Sequence, residues 1–165
     1  GVAVSSFLLL SFAYGAFVTR TDYKVKEVEL SFEGLPESFD GYRIAFISDI
    51  HIGSMWNPES ELEKLSSVVN STGADVILFG GDLVNLHHSE LSQPILDRLS
   101  LIKARHGVFA VMGNHDTGSY VKGSTKEFRA ENMASLARSV SSSGWTYLRD
   151  STVYINNGTH SISNT

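Results

Sequence analysis

The chain contains no cysteine, only three prolines and no block of basic residues. Without cysteine, disulfide stapling and every thiolate-ligated metal site are excluded. The absence does not assign a compartment, because it suits reducing and oxidising surroundings alike. With no basic stripe and a formal net charge of -5, binding along a nucleic-acid backbone is disfavoured, and no nucleic-acid partner is expected. Charged residues are only 19% of the chain, while 42% are hydrophobic and 10% aromatic. That apolar content excludes a disordered chain, and 165 residues suffice for one compact domain.

The apolar residues are unevenly spread. Residues 2–18 read VAVSSFLLLSFAYGAFV, without a charge or a proline, and Arg20 is the first ionic side chain. As a helix this segment would span about 25 Å against a hydrocarbon core of ~30 Å. Because the chain opens on Gly1, a transmembrane helix shortened at its start is the expected reading. A signal peptide ending near Ala13-Tyr14-Gly15 and a buried core helix are the alternatives. Residues 1–19 are therefore expected to be a transmembrane or signal-anchor segment. The protein is expected to be membrane-anchored through residues 2–18, with its orientation open.

From Asp22 onward the composition is that of a folded domain, expected over residues 24–165. Lys24–Phe32 alternates imperfectly and predicts an edge strand. Tyr42–Ser48 is a short apolar run, the pattern of a strand covered on both faces. Asn57-Pro58 predicts a helix start and Gly73 its stop. The pattern then repeats: a strand over Asp75–Phe79, a helix from Ser92 and Pro94 to Gly107, and a strand over Val108–Met112. A third helix is predicted from Thr125 to Ser142, with Phe128, Leu136 and Val140 inward. Thr146–Leu148 and Val153–Ile155 follow as strands, with Asn157-Gly158 as a hairpin signal. Strands alternating with helices of this length predict an α/β fold of βαβ units on a parallel sheet.

Chemistry-bearing residues sit where these strands end. The first predicted strand runs into Ser48-Asp49-Ile50-His51, the second into Gly80-Gly81-Asp82, the third into Gly113-Asn114-His115-Asp116. Right-handed crossovers make the strands parallel, so the three clusters share the carboxyl edge, where open α/β sheets bind ligands. Oxygen and imidazole donors without thiolate suit Mn, Fe, Zn, Ni or Mg and do not choose among them. Asp49 and His51 flank one residue, so at an extended strand end both side chains point the same way and can grip one ion. Asp82 can bridge two ions, and Asn114 can offer its carbonyl oxygen. Two ions about 3.5–4 Å apart would clamp a phosphate and acidify a water to hydroxide. His115 can then protonate the leaving oxygen or stabilise transition-state charge.

DIH, GGD and GNHD, in this order at these strand ends, resemble the first three sequence blocks of the calcineurin-like metallophosphoesterases. The stretch from Leu35-Pro36 and Phe39-Asp40-Gly41 through FISDIHIGS resembles that superfamily's membrane-associated bacterial branch. The resemblance implies a layered metallophosphoesterase sheet with a dinuclear site. Asp49 and His51 would hold one ion, Asp82 would bridge, and Asn114 would hold the second ion. His115 would be catalytic, with Asp116 orienting it. The implied activity is hydrolysis of a phosphomonoester, phosphodiester or pyrophosphate bond, and a membrane anchor makes a lipid-linked phosphoester an attractive substrate.

Family members complete the site with later Gly-His blocks, which this chain lacks. Its other histidines are 87, 88, 106 and 160. His87 and His88 read as a solvated loop pair, His106 lies at the wrong strand edge, and His160 reads as a surface strand position. The chain is thus expected to be the N-terminal part of a larger enzyme, inactive by itself, with the C-terminal half of the fold missing. The rival reading is a non-catalytic, membrane-tethered α/β domain that binds metal.

Overall fold

The computed structural model describes residues 1–17, 19–158 and 160–164, and the side chains of all these except 16, 17, 20 and 160–164. The His160 side chain thus falls outside the described residues. The first element is α1 (Val2–Phe17). It is apolar all round, with Val2, Phe7, Leu8, Leu9, Leu10 and Phe12 exposed. That exposure removes the buried-core alternative for this segment. Its 16 residues reach about 24 Å. No helix among the described residues is long and apolar enough to cross a membrane, so the described helix does not bear out the expected span over residues 2–18.

The domain is built on a four-stranded sheet of β1 (Ile44–Ile47), β2 (Val76–Phe79), β3 (Val108–Ala110) and β4 (Thr146–Tyr147), in spatial order β1-β2-β3-β4. All neighbours are parallel, with Ile44 opposite Val76, Ile77 opposite Val108 and Phe109 opposite Thr146. The connections carry α2 (Pro58–Ser71), α3 (Gln93–Leu99) and α4 (Lys126–Ser142). Sequential strand order with crossovers of one hand puts the connecting helices on one face.

Local chemistry explains the helix starts. Asn57 accepts from Ser60 N at 3.3 Å with Pro58 at the first helical position, and Thr125 accepts from Phe128 N at 3.1 Å. The second helix ends earlier than its apolar pattern predicts, at Leu99. Ile102 is nonetheless buried, in the connection that follows, because packing under α2 requires an apolar side chain and not a helical backbone.

Side-chain alternation divides the core in two. Ile77, Phe79, Val108 and Ala110 join Leu62, Leu65, Val69, Ile95, Leu96, Leu99, Leu136, Val140 and Trp145 beneath the helices. On the opposite face Val76 packs with Phe39 and Ile155, flanked by Tyr42, Leu78 and Phe109. Ile155 comes from an antiparallel hairpin of β5 (Val153–Asn157) and β6 (His160–Asn164), turning where Asn157-Gly158 predicts. Asn157 Nδ2 donates to Ser38 O and ties this hairpin to the turn before β1.

Two strand expectations are corrected. Lys24–Phe32 forms no strand: it has no regular structure, and Val25, Val28, Leu30 and Phe32 are exposed. Alternation alone cannot make a strand when no ladder partner is found for its N–H and C=O groups. β1 is an edge strand rather than one covered on both faces, with Ala45 and Ile47 against the helix layer but Ile44 and Phe46 55% and 67% exposed.

Candidate metal centre

Parallel pairing brings the ends of β1, β2 and β3 to one edge, and the loops beyond them continue the bonding. Asp49 N donates to Gly81 O and His51 N to Asp82 O, both at 3.0 Å. Asp49, His51 and Asp82 all adopt left-handed backbone, with φ of 56°, 47° and 60°. Such conformations cost on the order of 1 kcal/mol or more per non-glycine residue, and they cluster at functional sites. The extended strand end expected at Asp49 and His51 is therefore replaced by left-handed turns. The two side chains still meet, with His51 Nε2 3.8 Å from Asp49 Oδ1.

The glycines allow the loops to approach. A Cβ on Gly81, whose φ is 101°, would enter the backbone of Met112 and Gly113. A Cβ on Gly113 would collide with the Asp82 carboxylate. The second and third clusters can touch only because both positions lack side chains.

One ligand atom each from His51, Asp82 and His115 lies within 4.8 Å of the other two. Three ligands at ~2.1 Å around one ion would stand about 3.4–3.6 Å apart, so the group would close on a divalent cation with shifts of about an ångström. Two imidazoles and a carboxylate form a donor set of borderline softness, suited to Zn, Mn, Fe and Ni.

His115 is the most constrained of the three. Its amide donates to Asp82 Oδ1 at 2.9 Å. Its ring meets His51 edge-on at 4.7 Å and stacks on Tyr120 at 4.4 Å. Its Nδ1 lies 2.8 Å from the Asn85 carbonyl oxygen. A carbonyl can only accept, so Nδ1 carries the proton and the neutral ring keeps its lone pair on Nε2. Asn114 is exposed and donates through Nδ2 to Tyr120 Oη at 2.8 Å.

Among the described residues the Asp116 carboxylate bonds backbone amides and not the His115 ring. Its carboxylate, 1% exposed, accepts from Asp82 N at 2.7 Å, Gly113 N at 2.9 Å, Leu83 N at 2.9 Å and Val84 N at 3.1 Å. Among the described residues these four amides have no other partner where the strands stop, and a buried carboxylate satisfies them together. Burial raises the Asp116 carboxyl above the usual range, and the four amides pull it the other way. Asn132 of α4 continues the strap, donating to Asp116 O at 2.9 Å while accepting from His88 N at 2.8 Å.

The remaining histidines lie elsewhere. His87 stacks on Phe128 at 5.3 Å and caps the turn His88–Glu90, so the pair is half-buried rather than a solvated loop. Burial lowers the His88 pKa, with His87 adding to the effect. His106 accepts or donates at Nδ1 with Tyr42 Oη, 2.6 Å away, and precedes β3 at the edge opposite the cluster. Sequence reading missed Asn85 and Tyr120. Tyr120 carried a faint signal, as a lone aromatic in the polar stretch Thr117-Gly118-Ser119. Asn85 carried none, because it acts through its backbone carbonyl.

Comparison with known proteins agrees with this geometry. The calcineurin-like phosphoesterase family model matches residues 42–164. A zebrafish (Danio rerio) transmembrane protein with metallophosphoesterase domain is 37% identical over 103 residues, covering 62% of this chain and 23% of that protein. The UDP-2,3-diacylglucosamine pyrophosphatase LpxG of Chlamydia muridarum is 37% identical over 90 residues, covering 53% and 27%. The metallophosphoesterase YkuE of Bacillus subtilis is 31% identical over 91 residues, covering 52% and 30%. The chain thus spans between 23% and 30% of the length of these relatives. By the family match, the strand-end cluster and the parallel α/β sheet that carries it, the chain belongs to the calcineurin-like phosphoesterase family.

Proposed function

We propose that this chain carries the front part of a metal-dependent phosphoester hydrolase site, over a domain of residues 24–165. The observation that carries the reading is the convergence of His51, Asp82 and His115 within 4.8 Å, with Asp49 and His51 in contact and three of these positions held in left-handed backbone. In this reading Asp49 and His51 would hold one divalent ion and Asn114 a second, with Asp82 available to both. When bound, such ions supply Lewis acidity to phosphoryl oxygens and acidify a water for attack. His115, its Nδ1–H held by Asn85 O, presents the Nε2 lone pair to the reacting group; once Nε2 has taken up a proton, the doubly protonated ring gives that proton to the leaving oxygen. Asp116 keeps the two glycine-containing loops in register, so that the donors keep their spacing.

The substrate class is a phosphomonoester, a phosphodiester or a pyrophosphate. Similarity to a UDP-2,3-diacylglucosamine pyrophosphatase supports a lipid-linked pyrophosphate. The all-round apolar surface of α1 and relatives named as transmembrane proteins support association of residues 1–19 with a lipid surface.

The test joins binding to turnover. Mn²⁺ binding to this chain is measured by calorimetry, and hydrolysis of a chromogenic phosphodiester by the parent protein with added Mn²⁺. Asp82→Ala is expected to abolish binding of at least one ion. His115→Ala is expected to lower turnover by about 10²–10⁴-fold. Turnover that survives both substitutions overturns the catalytic assignment. Ion binding without any turnover in the parent selects a metal-binding domain instead.

A further inference from the structure

The Asn85 carbonyl that fixes the His115 ring belongs to a loop with its own anchor. Glu90 Oε2 accepts from Asn85 N at 2.8 Å, and Glu90 Oε1 accepts from Leu86 N at 2.8 Å and His87 N at 3.1 Å. One carboxylate therefore gathers three successive amides. The middle one is decisive. Leu86 N–H and Asn85 C=O belong to the same peptide plane, and in a trans peptide they point in opposite directions. Pinning Leu86 N–H on Glu90 aims the Asn85 oxygen the other way, onto His115 Nδ1.

The same carboxylate borders the first cluster. A Cβ on Gly53 would lie 2.5 Å from Glu90 Oε2 and 2.9 Å from Asn85 Oδ1, and Asn85 Nδ2 donates to Ser54 Oγ at 2.6 Å. Glu90 thus packs against the turn that follows His51.

We propose that Glu90 is a positioning residue for His115: by holding the 85–86 peptide plane it sets the His115 tautomer and leaves Nε2 free to face the metal cluster. The hydrogen-bond relay stands on geometry alone, while its consequence for turnover rests on the phosphoesterase reading.

The readout is the tautomer of the His115 ring, by ¹⁵N NMR of the ring-labelled chain at a pH about two units above the ordinary histidine pKa of ~6.5. In the unaltered chain the Nδ1–H form is expected to dominate. Glu90→Ala frees the peptide plane, and the Nε2–H form is expected to rise about fivefold, the ratio one net hydrogen bond controls. Glu90→Gln keeps one carbonyl oxygen for Leu86 N–H and His87 N–H, so it is expected to restore the original tautomer. Its Asn85 amide, facing an NH₂ group, should exchange with solvent faster. Asn85→Ala, which keeps the carbonyl, is expected to leave the tautomer unchanged.

A folded Glu90→Ala chain with the original tautomer overturns the proposal. If Glu90→Ala does not fold, Glu90→Gln decides: loss of Leu86 amide protection with an unchanged tautomer overturns it equally. In an active parent protein Glu90→Ala is expected to lower kcat by no more than the about fivefold shift in the tautomer ratio, with KM little changed. A tautomer that responds as expected in a parent without turnover retires the phosphoesterase reading and leaves the positioning role intact.

Discussion

The two faces of the four-stranded sheet carry similar side chains and meet opposite fates. On β2, Ile77 and Phe79 enter the core beneath the helices, while Val76 and Leu78 face a much smaller cluster with Phe39 and Ile155. The helix-covered face buries Leu62 and Leu99 completely; on the other, Ile44 and Phe46 stay more than half exposed. Both faces are apolar because both rows of β1, β2 and β3 are apolar. What separates them is connectivity: same-handed crossovers deliver three helices to one side and leave the other to a hairpin and a turn.

The largest test of this contrast is Leu99→Ala. Truncating a fully buried leucine under α3 is expected to cost about 2–5 kcal/mol in urea denaturation. A cost under about 1 kcal/mol would mean that the helix layer is loosely held and the contrast fails. Asp116→Asn probes the edge where the faces end. The amide is nearly isosteric, but its NH₂ group confronts N–H donors that the carboxylate satisfied. A loss of about 2–3 kcal/mol is expected, seen as a lower urea midpoint at unchanged slope. The smallest effect belongs to the open face: Phe46→Ser is expected to change stability by less than about 0.5 kcal/mol while lowering the binding of an apolar dye. A cost above about 2 kcal/mol there would show that something covers Phe46 in solution.

Much of this architecture was legible in the chain. Asn57-Pro58 and Thr125 mark helix starts because capping is local chemistry, and Asn157-Gly158 marks the hairpin for the same reason. The spacing of Asp49, Asp82 and Asn114 at about one βαβ unit places all three at one sheet edge. Lys24–Phe32 was misleading, because period-two patterning reports a wish for a partner and cannot supply one. Helical spacing also overstates the reach of the second helix: Ile102 keeps that spacing but is buried in the connection after α3.

The candidate site divides in the same way. Side-chain type and order along the chain single out Asp49, His51, Asp82 and Asn114 as expected metal donors and His115 as the expected proton donor, and the structure gathers His51, Asp82 and His115. The partners of their neighbours were hidden. Asp116 sits beside His115 in sequence yet binds four backbone amides, and His115 is held by a carbonyl 30 positions away at Asn85. Backbone groups are the same in every residue, so no sequence pattern announces which one will meet a given side chain.

The sequence by itself determined the α/β class, the edge on which the chemistry gathers and the chemical kind of the donors, since these follow from periodicity, handedness and residue type. Tertiary structure alone decided the left-handed turns at Asp49, His51 and Asp82, the close passage of Gly81 over Gly113 and the tautomer of His115. Each depends on distances between segments about 30 residues apart, which only packing and the satisfaction of buried amides can set.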